Sequence, residues 1–228
     1  MNAFQIKTLQ KVLKNIQVEE IKTSDLDVCH MGENHIGDFA QLEDTLKVFD
    51  INECPRDVFE MYGALGFNKT VMFNNNMNEK IEWQRDKPFD IIFNCNRSDL
   101  FFDQRSFFEN VHDLAGVGTY MVHCVPYWTY VETGLYTYQP AFFARLCGIN
   151  GYEMLGSYIG TSTGEQFEKI NIHYEYQGNH YAQKHKYFAY SMGEDRGWKR
   201  PAHMSVVLRK MVDKPFEVPH AFNVEEDV

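Results

Sequence analysis

The chain has 228 residues, a length that suits one α/β domain with a sizeable buried core. Lys and Arg total 22 against 32 Asp and Glu, so the formal charge of −10 disfavours any partner held mainly through phosphate contacts. Hydrophobic residues make up 44% and aromatic residues 15%, which excludes a disordered chain and predicts a core rich in rings.

Neither a membrane span nor an export signal is predicted. The longest apolar run, residues 111–125, is interrupted by His112, Asp113 and His123 and falls short of the roughly 20 apolar residues of a transmembrane helix. The N-terminal segment lacks a continuous apolar stretch and a small-residue cleavage site, so we expect a cytoplasmic protein. The five cysteines contain no CxxC pair, which favours reduced thiols over a disulfide framework or a zinc site.

Helices and strands alternate through the first two thirds of the chain, judged from the periodicity of apolar residues. In chain order we predict a helix over 4–16, a strand over 26–31, a helix over 53–66, strands over 70–73 and 89–93, a helix over 103–114, a turn at 116–118, a strand over 120–125 and a helix over 139–148. Parallel strands need crossover connections, which are usually helices. The alternation therefore predicts an α/β fold with a Rossmann-like, doubly wound, mostly parallel sheet and helices on both faces.

The last third of the chain has a different character. Strands are predicted over 152–158 and 204–212, whereas residues 165–200 are polar, rich in Tyr and His and only weakly periodic. We interpret 160–203 as an excursion or a lid, and 1–24 as an N-terminal helical segment. The whole chain, 1–228, is predicted to form a single domain.

Ligands of open α/β sheets bind at the carboxyl ends of the strands, near the topological switch point. The loop after the first predicted strand follows Met31 and begins with Gly32. Its two glycines, Gly32 and Gly37, match neither the dinucleotide fingerprint nor a phosphate-binding loop.

The loop after the strand 89–93 carries amide and carboxylate side chains that can orient a polar ligand. Asn94, Asn96 and Asp99 are the candidates there. Capping of the next helix is the alternative role for Asp99 or Asp103, and it is the role we favour for Asp103.

His123 lies in an apolar strand just before the aromatic segment 126–128, and it is a candidate general base beside a wall of rings. The alternative is a core histidine with satisfied hydrogen bonds. His30, His35 and Asp38 have a spacing compatible with metal ligation, but no second motif supports them and we predict no metal site.

Several segments between residues 64 and 216 occur in the order found in one known family. They are ALGF at 64–67, FDIIFN at 89–94, FFENVH at 107–112, MVH at 121–123, GLYTYQPAFF at 134–143, NGYE at 150–153, VVLRK at 206–210 and DKPF at 213–216. In these segments the chain resembles class I S-adenosylmethionine-dependent methyltransferases of the type common in bacteria and their phages.

The resemblance implies a Rossmann-like sheet, S-adenosylmethionine at the carboxyl ends of the first strands, and methyl transfer to an oxygen, nitrogen or carbon nucleophile. A small-molecule or carbohydrate-like acceptor is expected, and no membrane or nucleic-acid partner. The candidate cofactor-binding residues are Met31, Gly32, Asn74, Asn94 and Asn96. The candidate catalytic residues are His123 and Asp99.

The chain departs from the family pattern at several polar anchors. Residues 29–31 precede Gly32 where relatives have a glycine-rich turn, and the segment 73–76 has asparagines where relatives have an acid. Asp99 replaces the first residue of a Glu-His pair, and Thr133 replaces a histidine. The alternative function is therefore a catalytically inactive protein of this fold that serves as a binding or assembly module.

Overall fold

The computed structural model describes residues 1–32, 57–73, 76–82, 86–128, 134–164, 167–169 and 202–219. The helices of this part are α1 (Ala3–Val18), α2 (Val58–Ala64), α3 (Gln104–Leu114) and α4 (Pro140–Asn150). The strands are β1 (Asp27–Met31), β2 (Lys69–Phe73), β3 (Phe89–Cys95), β4 (Ala115–Trp128), β5 (Tyr152–Thr161), β6 (Phe167–Lys169) and β7 (Ala202–Lys210). Within these ranges, no helix has the length and apolar content needed to cross a bilayer.

The strands form one sheet in the order β2-β1-β3-β4-β7-β5-β6. β2, β1, β3 and β4 pair in parallel, and β7 is inserted antiparallel between β4 and β5. β6 pairs antiparallel to β5, so five of the seven described strands run in the same direction. The predicted Rossmann-like, mostly parallel sheet is confirmed.

Helices cover both faces of the sheet, as the doubly wound prediction requires. α1 and α2 bury apolar side chains, such as Leu9 of α1 and Met61 of α2, in one cluster with Val28 and Phe93 of the sheet. α3 and α4 pack on the opposite face. Their side chains Phe107 and Phe143 lie in one cluster with the strand side chains that point to this second face. Successive side chains of a strand point to opposite faces, so each central strand contributes to both cores.

The ends of α3 and α4 lie at residues that commonly begin or end helices. The Asp103 carboxylate accepts a hydrogen bond from the backbone N–H of Ser106 at 3.0 Å, so Asp103 caps α3 as predicted. α4 begins at Pro140 and ends at Gly151, whose φ of 67° lies in the left-handed region that glycine adopts without a Cβ penalty.

The segment 116–118, predicted as a turn before a strand, lies inside β4. Phe89 pairs with Ala115 and Ile91 pairs with Tyr120, so residues 116–119 have no counterparts on β3 and form a bulge. The hydroxyl of Thr119 accepts a hydrogen bond from the Gly116 N–H at 2.9 Å, which closes the bulge locally. The glycines therefore mark an irregular start of the strand rather than a connection before it.

Candidate functional site

The topological switch point lies between β1 and β3. The chain places β2 on one side of β1 and then crosses to place β3 on the other. Loops that leave neighbouring strands in opposite directions open a crevice at the carboxyl edge. Met31 and Asn94 are register partners at this edge, so Gly32 and Cys95, which follow them, lie at the switch point.

Gly32 brings the end of β1 into close contact with the end of β3. A Cβ atom at residue 32 would lie 2.9 Å from the Cβ atom of Cys95 and 3.0 Å from its carbonyl oxygen. Glycine is therefore required here by the approach of the two strands. Met31, one residue earlier, has its side chain buried in the core under α3 and α4.

Asn94 is buried at the end of β3 and uses the full hydrogen-bonding capacity of its amide. Its Nδ2 donates to Ser98 Oγ at 3.0 Å and to His123 Nδ1 at 3.2 Å. Its Oδ1 accepts from the backbone N–H groups of Arg97 at 3.0 Å and Ser98 at 3.3 Å. Asn94 therefore shapes the loop that follows β3, and its role toward a cofactor stays a prediction.

His123 meets Asn94 because the two residues are register partners on parallel strands and point to the same face. Its ring packs between Phe108 and Phe143, each with a centroid distance of 5.4 Å. Burial lowers the pKa of His123 to about 3, so the imidazole is neutral at neutral pH. Because Nδ1 accepts the Asn94 amide proton, the ring proton resides on Nε2.

Asn96 follows β3 in the left-handed region, with a φ of 51°, which asparagine tolerates better than most residues. Its N–H donates to the carbonyl of Cys124 at 2.7 Å and fixes the loop to β4. Its side-chain Oδ1 is buried and has no hydrogen-bond partner among the described residues. A buried acceptor without a partner calls for an explanation, and a bound ligand or water is one.

Asp99 lies in a short 3₁₀ helix, Ser98–Leu100, and only 1% of its surface is exposed. Desolvation raises the pKa of its carboxyl from 3.8 to about 6, although its own backbone N–H and the Arg97 guanidinium act in the opposite direction. Its Oδ1 is buried without a hydrogen-bond partner in the part of the chain that the structure describes. Asp99 is thus a buried carboxylate that is ionised at neutral pH and has one oxygen without a hydrogen-bond donor among the described residues.

The segment 134–138 runs across Asp99. The Leu135 N–H donates to the Asp99 carbonyl at 2.7 Å, and the Tyr136 hydroxyl donates to the Phe102 carbonyl at 2.9 Å. The carboxylate of Asp99 fills the position that a side chain at Gly134 would take. This segment therefore encloses Asp99 on one side.

Gln104 and Tyr138 join the loop of Asp99 to the segment 134–138. The Tyr138 hydroxyl donates to Gln104 Oε1 at 2.5 Å, and Gln104 Nε2 donates to the carbonyls of Ser98 and Phe101 at 2.8 and 2.7 Å. The sequence alone did not single out either residue, because a glutamine at the start of a helix and a tyrosine in a loop carry no local signature. Their roles depend on a contact between segments 34 residues apart.

The remaining candidates fall outside this cluster. Asn74, His35 and Asp38 lie outside the described residues. His30 is buried on the face of α2, 3.2 Å from the Tyr62 hydroxyl and stacked on Phe93. Among the described residues, no three His, Cys, Asp or Glu side chains are grouped so that they could hold a metal ion.

The sheet order and the polar cluster define a Rossmann-like α/β protein with a candidate ligand site at its switch point. A solved structure of a functionally unknown protein from Deinococcus radiodurans R1 aligns with 86% of this chain and 85% of its own, at 11% identity and a TM-score of 0.39. StiE O-MT aligns with 90% of this chain and 75% of its own, at 13% identity and a TM-score of 0.42.

An S-adenosylmethionine-dependent methyltransferase from Clostridium acetobutylicum ATCC 824 aligns with 92% of both chains, at 8% identity and a TM-score of 0.35. Similarity this low carries no argument about the reaction of the present chain. No protein-family model and no curated protein matches the sequence.

Proposed function

We propose that this protein transfers a methyl group from S-adenosylmethionine to a small-molecule or carbohydrate-like acceptor. One observation carries the proposal. Asn96 Oδ1 and Asp99 Oδ1 are buried acceptors without partners among the described residues, and they belong to the same loop at the switch point. The order of sequence segments shared with class I methyltransferases supports the same function.

The residues present fit this cofactor. S-adenosylmethionine supplies, when bound, a methyl group activated on a sulfonium sulfur. Its ribose hydroxyls and ammonium group are donors, and the buried Oδ1 of Asn96 is an acceptor that needs one. Gly32 packs against Cys95, the residue that precedes Asn96 in the sequence. We assign Asn96 to cofactor binding and Asn94 to holding the loop in place.

Asp99 is our candidate for the group that removes a proton from the acceptor. Its carboxyl, with a pKa of about 6, is ionised at neutral pH and close enough to neutrality to accept a proton. His123 is less suited to that step, because burial lowers its pKa to about 3 and Nδ1 is engaged by Asn94. We therefore propose that His123 acts through Asn94, as a positioning residue.

A catalytically inactive binding module remains the second candidate, and Gly32 is the observation that favours it. The space beside Gly32 is filled by Cys95 and by the ring nitrogen Nε2 of His30, at 3.2 Å from a Cβ built there. The first loop therefore offers protein atoms, not an opening, on that side of Gly32.

Calorimetric titration with S-adenosylmethionine and with its demethylated product tests the proposal. We expect heat with both, and a loss of about tenfold in affinity for Asn96→Gly, which removes one hydrogen bond while it tolerates the positive φ. Asn96→Asp keeps an acceptor and should retain most of the affinity. Asn68→Gly, on an exposed residue at the opposite edge of the sheet, is the control.

The outcomes separate the two candidates. An absence of heat with the wild-type protein at high ligand concentration would overturn the methyltransferase proposal and leave the binding module. If Asn96→Gly and Asn68→Gly change the affinity for the cofactor equally, the cofactor does not bind at the switch point.

A further inference from the structure

An open cleft of about 490 Å³ lies at the edge of the sheet opposite the switch point. The bulge at the start of β4, the C-terminal end of α3 and the residues at and just after the end of β7 form its walls. Its lining includes His112, Asp113, Val117, Lys210, Asp213 and Lys214. We name this feature the β4 cleft.

Lys210 places a buried ammonium group among the residues that line the β4 cleft. Only 4% of its side chain is exposed. Its Nζ donates to the carbonyls of His112 and Ala115 at 3.1 and 2.8 Å, and no third hydrogen bond joins it to the part of the chain that the structure describes. An ammonium group has three hydrogens to donate, so one of them is left for an acceptor that enters the cleft.

Asp213 lies beside this ammonium group but does not satisfy it. The distance from Lys210 Nζ to Asp213 Oδ1 is 3.9 Å, which is too long for a hydrogen bond. The Asp213 side chain is 91% exposed, and a long ion pair with so exposed a partner contributes little to stability. A ligand can therefore engage both charged groups at little cost.

The three other ionisable side chains named in the lining have closer partners. Asp113 pairs with Lys80 at 3.4 Å, and Lys214 pairs with Glu217 at 2.5 Å. Both ring nitrogens of His112 are hydrogen-bonded, and burial lowers the pKa of this ring, so it adds no positive charge at neutral pH. The cleft thus offers a ligand one buried positive group and one exposed negative group.

We propose that the β4 cleft binds a free α-amino acid, whose carboxylate accepts from Lys210 Nζ and whose ammonium group donates to Asp213. The two charged groups of an α-amino acid are attached to one carbon atom, which suits partners only 3.9 Å apart. A simple anion would leave Asp213 beside a second negative charge, and a simple cation would lie next to the Lys210 ammonium group. The site is separate from the switch point and does not depend on the proposed function.

The apolar part of the lining favours an aliphatic side chain on this ligand. Val117 is 63% exposed in the cleft, and Pro88 and Ala115 also line it. An aliphatic group that covers Val117 removes apolar surface from water. Leucine is therefore the probe that we choose.

Calorimetric titration of the full chain with leucine and two analogues of the same skeleton tests the proposal. The analogue 4-methylpentanoate lacks the ammonium group, and 3-methylbutylamine lacks the carboxylate. We expect leucine to bind at least about tenfold more tightly than either analogue, because only leucine engages both charged groups.

Two variants test the contacts separately. Asp213→Asn should weaken leucine binding by about fivefold or more, and should leave the binding of 4-methylpentanoate unchanged or make it tighter, because it removes a negative charge beside the carboxylate. Lys210→Met should remove leucine binding. Since Lys210→Met also removes two hydrogen bonds of the fold, the variant of the exposed Asp213 keeps the test decisive.

Glu60→Gln is the matched control for Asp213→Asn. It also removes one carboxylate from an exposed residue, but Glu60 lies in α2, on the other face of the sheet. Glu60→Gln should leave leucine binding within about twofold of the wild-type value.

Three results would overturn the inference: no heat with leucine, binding of either analogue as tight as that of leucine, or equal effects of Asp213→Asn and Glu60→Gln. Leucine binding that is weakened by Asn96→Gly and not by Asp213→Asn would also overturn it, because leucine would then lie at the switch point. The proposed function is tested by the separate titration with S-adenosylmethionine, so the failure of one proposal is distinguishable from the failure of the other.

Discussion

Gly134 lies against Asp99 so closely that the Asp99 carboxylate occupies the place of the missing side chain at residue 134. The two residues belong to segments that follow β3 and β4, and the hydrogen bond from Leu135 to the Asp99 carbonyl fixes their approach. Because Gly134 has no side chain, its segment can pack directly on Asp99, and this enclosure explains how the carboxylate remains desolvated near the carboxyl edge of the sheet.

Gly134→Ala should destabilise the fold, because the added methyl group would overlap the Asp99 side chain and one of the two segments would have to move. We expect a loss of about 1–3 kcal/mol in the free energy of unfolding, the usual cost of overpacking. Urea denaturation measures it.

Gly63→Ala is the control for this substitution. Gly63 lies in α2, and a Cβ atom there meets no other atom within 4 Å. Alanine is the better helix former, so we expect Gly63→Ala to be neutral or to stabilise by about 0.5–1 kcal/mol. Equal responses of the two variants would show that residue 134 does not press on Asp99.

Asp99 should make the protein less stable as the pH rises from about 4 to about 6. Its pKa is raised by burial to about 6, so the folded state binds the proton more tightly than the unfolded state does. The stabilising contribution is complete below the unfolded pKa and is lost as the pH passes the folded one. Asp99→Asn should remove this loss, roughly 2–3 kcal/mol at pH 7, as measured by urea denaturation across the pH range.

Asp103→Asn provides a comparison with the opposite sign. Hydrogen bonds from the Ser106 backbone and hydroxyl lower the pKa of Asp103, so its contribution is present at neutral pH and is lost on acidification. If the free energy of unfolding changes between pH 4 and 6 in the same way in Asp99→Asn and in the wild type, the carboxylate of Asp99 is solvated. Asp99 would then no longer be a candidate for the base.

His123 should remain neutral over the whole range in which an ordinary histidine titrates. Burial lowers its pKa to about 3, so protonation would need the imidazolium to displace the Asn94 amide in an aromatic surrounding. Nitrogen-15 NMR of the ring should report the Nε2–H tautomer at pH 8 and no protonation at pH 5. A titration midpoint of the His123 ring near pH 6.5 would contradict the structure and would restore His123 as the candidate base.

Lys210 should anchor the end of α3. Its buried Nζ donates to the carbonyls of His112 and Ala115, at the C-terminal end of α3, at 3.1 and 2.8 Å. Lys210→Met keeps the apolar stem but removes both donors, so we expect a loss of about 2 kcal/mol in the free energy of unfolding. Lys11→Met, on the exposed side of α1, is the control, and equal stability of the two variants would exclude the anchoring role.

Part of the site could be predicted from the sequence. Asn94 lies at the end of a strongly apolar strand and Asp99 lies in the loop after it, and the end of such a strand in an α/β chain is where ligands bind. The capping role of Asp103 was also predictable, because it depends on the hydrogen bond to Ser106 three residues away. The contributions of Gln104, Tyr138 and Gly134 were not, since each of them acts on a segment about 34 residues distant.

The positions of most helices and strands and their alternation could be predicted from the amino-acid sequence, because apolar periodicity and capping are local properties. The antiparallel position of β7 between β4 and β5, and the packing of the segment 134–138 over Asp99, could not be predicted in this way and are seen in the folded chain. Strand pairing and burial depend on contacts between distant residues. The pKa of Asp99 and the neutral state of His123 depend on these contacts, because desolvation is a property of the folded surroundings and not of the residue type.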